Sequence, residues 1–198
     1  CYSTGSVSGA GNNVGGVAGF IFGTVQNCYS TGSVSGAGNN VGGVAGQVGG
    51  SGTMKNCHST SSVSGTNNVG GVAGMVYGGT VKNCAALNPS VSGTSSVGRV
   101  AGSVENSGTL KSNHAYTGMV CTPSDVGRND GTALSSATLF AESGSFWTTT
   151  ANWDTSVWDS GIWTLADGKL PTLKNIAGQS GAPDRYLLNL STDALSVT

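Results

Sequence analysis

Residues 1–19 read CYSTGSVSGAGNNVGGVAG, and residues 28–46 repeat that stretch letter for letter. Looser copies follow at residues 57–74 (CHSTSSVSGTNNVGGVAG) and 84–102 (CAALNPSVSGTSSVGRVAG), and residues 82–99 align without a gap on a degraded fifth copy at residues 111–128. These copies, numbered as coils 1 to 5, are spaced 27, 29, 27 and 29 residues apart and begin at Cys1, Cys28, Cys57, Cys84 and Asn113. Such a period is typical of repeat proteins in which each unit buries its apolar face against its neighbours.

The residue pattern within each copy predicts short β-strands. Valine stands at the centre of short runs that end in small polar residues, and Gly and Asn, which favour tight turns, separate the runs. Gly and β-branched residues are both poor helix formers. Three short strands in a unit of about 28 residues predict one coil of a parallel β-helix, whose like positions stack about 4.8 Å apart. We expect an all-β, right-handed β-solenoid of about five coils, because parallel crossovers strongly prefer that hand.

Five columns of equivalent positions define the interior of this solenoid. They stay apolar in every copy and consist of Val7, Val34, Val63, Val91 and Val120; Val14, Val41, Val69, Val97 and Val126; Val17, Val44, Val72 and Val100; Ile21, Val48, Val76 and Val104; and Val25, Met54, Val81 and Leu110. Hydroxyl columns, such as Thr24, Thr53, Thr80 and Thr109, are predicted to face outward. A further column changes from Gly16, Gly43 and Gly71 to Arg99 and Arg128, which predicts a position that faces solvent.

Cys1, Cys28, Cys57 and Cys84 share one column, with Asn113 in their place in coil 5. Zinc ligands converge on a point, whereas these residues are strung along an axis, so no metal site is expected. The column is interpreted as a structural ladder of buried thiols, with disulfides between neighbouring coils as the alternative. Cys121 aligns with Ser92, outside the ladder. His58 and His114 stand where other copies have Tyr2 or Ala85, and this variation predicts tolerant surface positions.

The composition excludes several classes of protein. Only 9% of the residues are charged and the net charge is −1, which disfavours a nucleic-acid partner and a disordered chain. No apolar run approaches the roughly 20 residues of a membrane span. The sequence has no HExxH, GxSxG or nucleotide-binding loop, so we expect neither an enzyme nor a cofactor. The chain lacks an initiator Met and begins within a repeat, so we expect a fragment whose parent continues at both ends.

We expect three regions: repeats over residues 1–129, a Trp-rich C-terminal cap over 130–176, and a linker or the start of another domain over 177–198. All four tryptophans fall in the second region, where they could seal the open end of the solenoid. Alternatively, exposed aromatic faces beside carboxylates could form a sugar platform. The candidate ligand-binding residues are Trp153, Trp158, Trp163, Asp154, Asp159, Arg99 and Arg128. A glycosidase pair of Asp154 and Asp159 is disfavoured, because the sequence indicates no cleft.

The phrases NCYSTGSVSG, NNVGGVAG and GGTVKN resemble the GLUG motif repeat, over residues 1 to about 128. This resemblance implies a bacterial surface protein, either adhesin-like or the non-catalytic portion of an IgA-specific M26 metallopeptidase. The segment WDTSVWDSGIWTLADGKLPTLK is similar to the ending that often follows such repeats, and ALSVT resembles the lead-in to sandwich domains in surface proteins of gut Bacteroidetes. The peptidase motif is absent, so protease activity does not carry over.

The expected function is therefore that of a non-catalytic, extracellular module of a bacterial cell-surface or secreted protein. It would act as a stalk or adhesin that binds a host or matrix protein or a glycan through its hydroxyl-rich face. One alternative is an accessory region of a secreted M26-type peptidase or glycan-degrading enzyme. Another is an ice-binding solenoid that uses the threonine column.

Overall fold

The computed structural model describes residues 1–123, 129–135, 143–154, 158–166, 169–177 and 179. These residues form a parallel β-solenoid of about four complete turns with almost no helix. The predicted fold class is confirmed, with slightly fewer complete turns than the five expected. No helical segment of the described residues has the length and apolar character needed to cross a bilayer.

The strands are short, as the valine-centred runs predict, and a single α-helix, α1 (Ser143–Thr148), occurs among the described residues. In chain order the strands are β1 (Tyr2–Ser3), β2 (Val7–Gly9), β3 (Val14–Gly15), β4 (Ala18–Ile21), β5 (Thr24–Ser30), β6 (Val34–Gly36), β7 (Asn39–Gly42), β8 (Ala45–Gly49), β9 (Thr53–Ser59), β10 (Val63–Ser64), β11 (Asn67–Gly70), β12 (Ala73–Tyr77), β13 (Thr80–Lys82), β14 (Ala85–Ala86), β15 (Ser90–Ser92), β16 (Ser95–Gly98), β17 (Ala101–Glu105), β18 (Thr109–Lys111), β19 (His114–Tyr116), β20 (Val120–Thr122), β21 (Thr132–Leu134), β22 (Trp163–Thr164) and β23 (Thr172–Leu173).

Stacking of the coils produces four parallel sheets along the axis. Sheet 1 has the order β1-β5-β9-β14-β19-β21, with β13 and β18 continuing beside β9. Sheet 2 has the order β2-β6-β10-β15-β20, sheet 3 β3-β7-β11-β16, and sheet 4 β4-β8-β12-β17. The antiparallel pair β22 and β23 lies outside these sheets.

The apolar columns form the core, as predicted. Like residues pair across neighbouring coils, for example Val41 with Val69, and the central members of the columns are fully buried. Burying one valine side chain contributes about 1.5–3 kcal/mol. The threonine column is also in register, with Thr24 beside Thr53 and Thr80 beside Thr109. The alternation of inward and outward side chains is therefore confirmed.

Asparagines adopt a left-handed backbone conformation at two points of coils 1 to 3. Asn13, Asn40 and Asn68 all have positive φ, at 60°, 60° and 51°, a conformation that Asn tolerates better than most residues. Their amides form a ladder along the axis, in which Nδ2 of Asn40 donates to Oδ1 of Asn13 and Nδ2 of Asn68 donates to Oδ1 of Asn40, each over 2.8 Å. At the second point Asn27, Asn56 and Asn83 adopt the same conformation, within or directly after strands of sheet 1.

The predicted register of coil 5 is wrong by one residue. Val91 pairs with Cys121, and Val120 pairs with Ser90. Coil 5 holds one extra residue between Ala115 and Val120, and a slip of one position exchanges the two faces of a strand. Val120 is consequently 60% exposed, while Cys121 packs partly buried against the core. The predicted positions of Val126 and Arg128 lie outside the described residues.

The aromatic C-terminal segment lies along the side of the solenoid and not over its end. We call the described residues from Ser145 to Gln179 the strap. Trp153 packs against His114 of coil 5, Trp163 packs against Tyr29 of coil 2, and the Ala177 carbonyl accepts a bond of 3.3 Å from Tyr2 of coil 1. The strap thus runs back along sheet 1, and the prediction of an end cap is corrected. The predicted third region falls on residues of which only Ala177 and Gln179 are described.

Candidate functional site

The tryptophans of the strap form one closed cluster. Trp147, Trp153, Trp158 and Trp163 are all at most 2% exposed. Trp147 stacks on Trp153 with 5.5 Å between ring centroids, and Trp158 lies 4.7 Å from Trp163. A sugar platform needs exposed ring faces. The predicted platform of Trp153, Trp158 and Trp163 is therefore wrong, because the strap turns these faces onto the solenoid.

His58 lies under this cluster and not on the surface. Its ring stacks on Tyr29 with a centroid distance of 4.9 Å and an interplanar angle of 1°. Its Nε2 lies 2.9 Å from the carbonyl oxygen of Pro171, which can only accept, so Nε2 carries the proton. Burial lowers the pKa of His58 to about 4. The prediction of a tolerant surface position is wrong, because the strap covers the outer face of sheet 1.

His114 has the same environment in coil 5. Its ring packs against Phe146 and Trp153, with centroid distances of 5.2 and 4.6 Å, and its Nε2 donates to the carbonyl oxygen of Asn152 over 2.8 Å. Burial lowers the pKa of His114 as well. In both histidines Nδ1 is buried and has no hydrogen-bond partner among the described residues.

The two candidate carboxylates have separate structural roles. The Asp154 N–H donates to Oδ1 of Asn83 over 2.9 Å, and its carbonyl oxygen accepts from Nδ2 of Asn83 over 3.1 Å. The Asp154 carboxylate lies 2.9 Å from Nζ of Lys111 and 3.9 Å from Nζ of Lys82. Asp154 therefore fastens the strap to coils 3 and 4. Asp159 accepts a bond of 2.7 Å from the Gly161 backbone and stabilises a turn.

Arg99 also has an internal partner. Its backbone N–H and its guanidinium bind the two carboxylate oxygens of Asp130 over 2.9 and 3.2 Å. The equivalent glycines Gly16, Gly43 and Gly71 are buried, and a Cβ at Gly43 would collide with Ser59. The prediction that this column faces solvent is wrong for the glycines, and Arg128 lies outside the described residues.

The cysteine ladder is a row of free thiols. Cys28, Cys57 and Cys84 are buried, and each Sγ donates to the carbonyl two residues earlier over 3.2 Å. The hydrogen bond to Cys57 and burial raise the pKa of Cys28, and burial raises that of Cys57. Cys28 and Cys57 are therefore poor nucleophiles, whereas Cys1, the first member of the predicted ladder, is exposed and not buried. In the described ranges, no cluster of His, Cys, Asp or Glu is arranged to hold a metal ion.

An exposed aromatic pair on the outer face of sheet 4 was not predicted. Phe20 and Phe22 are 38% and 70% exposed, and their rings lie 4.4 Å apart. Glycine at position 49 makes room for the pair, because a Cβ there would lie only 2.5 Å from Cζ of Phe20. The sequence does hold a signal for it. Since Ile21 belongs to an inward column, its two neighbours must point outward.

The comparisons with known proteins agree with this fold. Residues 10–35 match the family described as the GLUG motif. No curated protein matches the chain. A crystal structure of a candidate immunoglobulin A1 protease from Bacteroides ovatus is 25% identical, with a TM-score of 0.65, over 88% of this chain and 56% of the other. This chain thus spans little more than half the length of that protein. The predicted resemblance is confirmed: the chain is a parallel β-solenoid that carries the GLUG motif.

Proposed function

We propose that this solenoid is a non-catalytic module of an extracellular bacterial protein, at the cell surface or secreted, that acts as a stalk or adhesin. Its ligand is a host or matrix protein or a glycan. The observation that carries the proposal is the exposed pair Phe20 and Phe22 on the outer face of a solenoid whose tryptophans are all buried.

The contacts between coils support the role of a stalk. Buried valine columns run along the axis through the coils, and the asparagine amide ladder connects coil 1 to coil 2 and coil 2 to coil 3. The strap adds contacts that reach from coil 5 back to coil 1. Because every coil is tied both to its neighbours and to the strap, the solenoid resists bending and can hold a ligand site away from an anchor.

The aromatic pair supports the role of an adhesin. Phe20 and Phe22 offer two adjacent rings, and Tyr77 adds a third aromatic side chain, 42% exposed. Exposed aromatic side chains are enriched at binding sites because they bury a large area at a small cost in entropy. The low charge content of the chain, 9%, favours an uncharged ligand surface over a polyanion.

Binding of the whole chain to a glycan array and to immobilised matrix proteins tests this proposal. We expect the double variant Phe20→Ser with Phe22→Ser to bind at least about tenfold more weakly, a loss of about 1.4 kcal/mol. Val120→Ser is the matched control, because it removes an exposed apolar side chain from a different sheet. Undiminished binding by the double variant would show that the ligand does not bind at Phe20 and Phe22. If the wild-type chain binds none of these ligands, the adhesin role is overturned and only the role of a stalk is left.

A second candidate is an accessory region of a secreted peptidase that acts on immunoglobulin A1. The observation in its favour is the likeness to the Bacteroides ovatus protein, which carries that description. In this case immobilised immunoglobulin A1, included in the same assay, is expected to bind the chain, and the full parent sequence is expected to contain a peptidase motif such as HExxH. Binding to matrix protein or glycan without binding to immunoglobulin A1 would favour the adhesin.

A further inference from the structure

We propose that the strap is a pH-sensitive latch, which is fastened to sheet 1 at neutral pH and is released in mild acid when His58 and His114 become protonated. Both histidines of the chain lie in this interface. His58 lies at coil 3, and His114 lies at coil 5, where the strap begins its path along the sheet. Release would uncover the outer face of sheet 1 and expose the four tryptophans.

Each histidine holds the strap through its neutral form. His58 donates its Nε2–H to Pro171, and His114 donates to Asn152, and both acceptors belong to the strap. In both residues a second proton must go to Nδ1, which is buried and has no hydrogen-bond partner in the part of the chain that the structure describes. Because a buried, unpaired donor on a charged ring is costly, protonation opposes the closed interface.

Among the described residues, no anionic group offsets the charge on His58. The element beside it in sheet 1 contributes Tyr29, whose hydroxyl donates to Gln179 and whose pKa burial raises to about 12, so that it stays neutral. On the other side its sheet neighbour is Ala85. From the strap the aromatic neighbours are Trp158 and Trp163. None of the ion pairs among the described residues includes His58.

His114 has equally uncharged neighbours. Ala85 and Thr132 pair with it in sheet 1, and Phe146 and Trp153 face it from the strap. The charged group next to this contact along the strap is Asp154, which the ammonium groups of Lys82 and Lys111 already hold. That carboxylate is therefore engaged by the two lysines.

The direction of the pH effect follows from the lowered pKa of the buried rings. A histidine on a released strap has an ordinary pKa of about 6.5, whereas burial holds the pKa of His58 at about 4. The closed state is fully stable above pH 6.5, weakens as the pH falls below that value, and reaches its weakest point near pH 4. Between these limits each pH unit favours release about tenfold, so His58 alone shifts the equilibrium by up to about 300-fold.

Because all four tryptophans lie in the strap, their fluorescence reports on its release, while far-ultraviolet circular dichroism reports on the solenoid. We expect a reversible shift of the whole chain's emission to longer wavelength between pH 6.5 and 4, without loss of the β-sheet signal. In the double variant His58→Gln with His114→Gln, which cannot be protonated at either site, the shift should vanish. Its persistence in that variant would overturn the proposal.

A measurement on the wild-type chain decides the question even if the double variant does not fold. Nuclear magnetic resonance follows the titration of each histidine ring directly. We expect both rings to titrate below their ordinary pKa, His58 near 4, and to do so together with the tryptophan emission. Ordinary titration near pH 6.5 with unchanged tryptophan emission down to pH 4 would overturn the latch.

Discussion

A single asparagine can contribute both a left-handed backbone conformation and a hydrogen-bonding side chain to this solenoid. Asn40 adopts φ 60° and at the same time links coil 2 to both of its neighbours through its amide. An ordinary side chain in this conformation costs roughly 1–2 kcal/mol, and each lost hydrogen bond costs about 1 kcal/mol. In coils 1 to 3 the second Asn of each NN pair therefore serves both the backbone conformation and the side-chain ladder, whereas Ser96 adopts the same conformation in coil 4, with φ 51°.

Substitution of Asn40 separates the two contributions. We expect Asn40→Ala to lower the free energy of unfolding by about 2–4 kcal/mol, because it loses the amide ladder and places a Cβ in the left-handed region. Asn40→Gly loses only the ladder and should cost about 1 kcal/mol less. Unfolding in urea measures both values, with the exposed Asn12→Ala as control, because that change removes one hydrogen bond between coils, from the Asn39 N–H, but no left-handed residue. Equal losses for Ala and Gly would show that the backbone conformation contributes nothing.

At the scale of elements, the columns explain what the sequence could predict. Interior positions face the same environment in every coil, so Val34, Val63 and Val91 are alike and reveal the strands and the core. In the outer column, Tyr2, Tyr29, His58 and His114 each contact a different part of one non-repeating strap. That column therefore varies as an exposed one would, and periodicity alone could not locate the strap. An alignment without gaps also cannot reveal the extra residue that precedes Val120 in coil 5.

The strap depends on its central tryptophan. Trp158 is fully buried and packs against Trp147, Trp163 and His58. We expect Trp158→Ala to destabilise the closed strap by about 3–5 kcal/mol, the usual cost of the cavity left by a large aromatic side chain. The remaining tryptophans should then emit at longer wavelength at neutral pH, while circular dichroism still shows the solenoid. Phe22→Ala removes a similar but exposed ring and should change neither signal. An unshifted emission in Trp158→Ala would contradict a closed aromatic cluster.

At the scale of the whole molecule, the strap changes how the coils depend on one another. A solenoid of stacked repeats is held by contacts between neighbours, so distant coils can unfold separately. Here Tyr2 of coil 1, His58 of coil 3 and His114 of coil 5 all bind one continuous segment. Opening any of these coils disturbs the strap, and the strap in turn contacts the others. The molecule should therefore behave as one cooperative unit while the strap is closed.

Cooperativity of unfolding tests this coupling at neutral pH. In the wild-type chain we expect tryptophan emission and circular dichroism to report one shared transition in urea, the mark of two-state unfolding. In Trp158→Ala the emission change should come at lower urea than the loss of sheet, because the loosened strap no longer binds coils 1 and 5 together. Val41→Ala, a buried change within the solenoid, should lower the midpoint of both signals equally, since it weakens the core and leaves the strap contacts intact. Two separate transitions in the wild-type chain would mean that the strap covers the coils without coupling them.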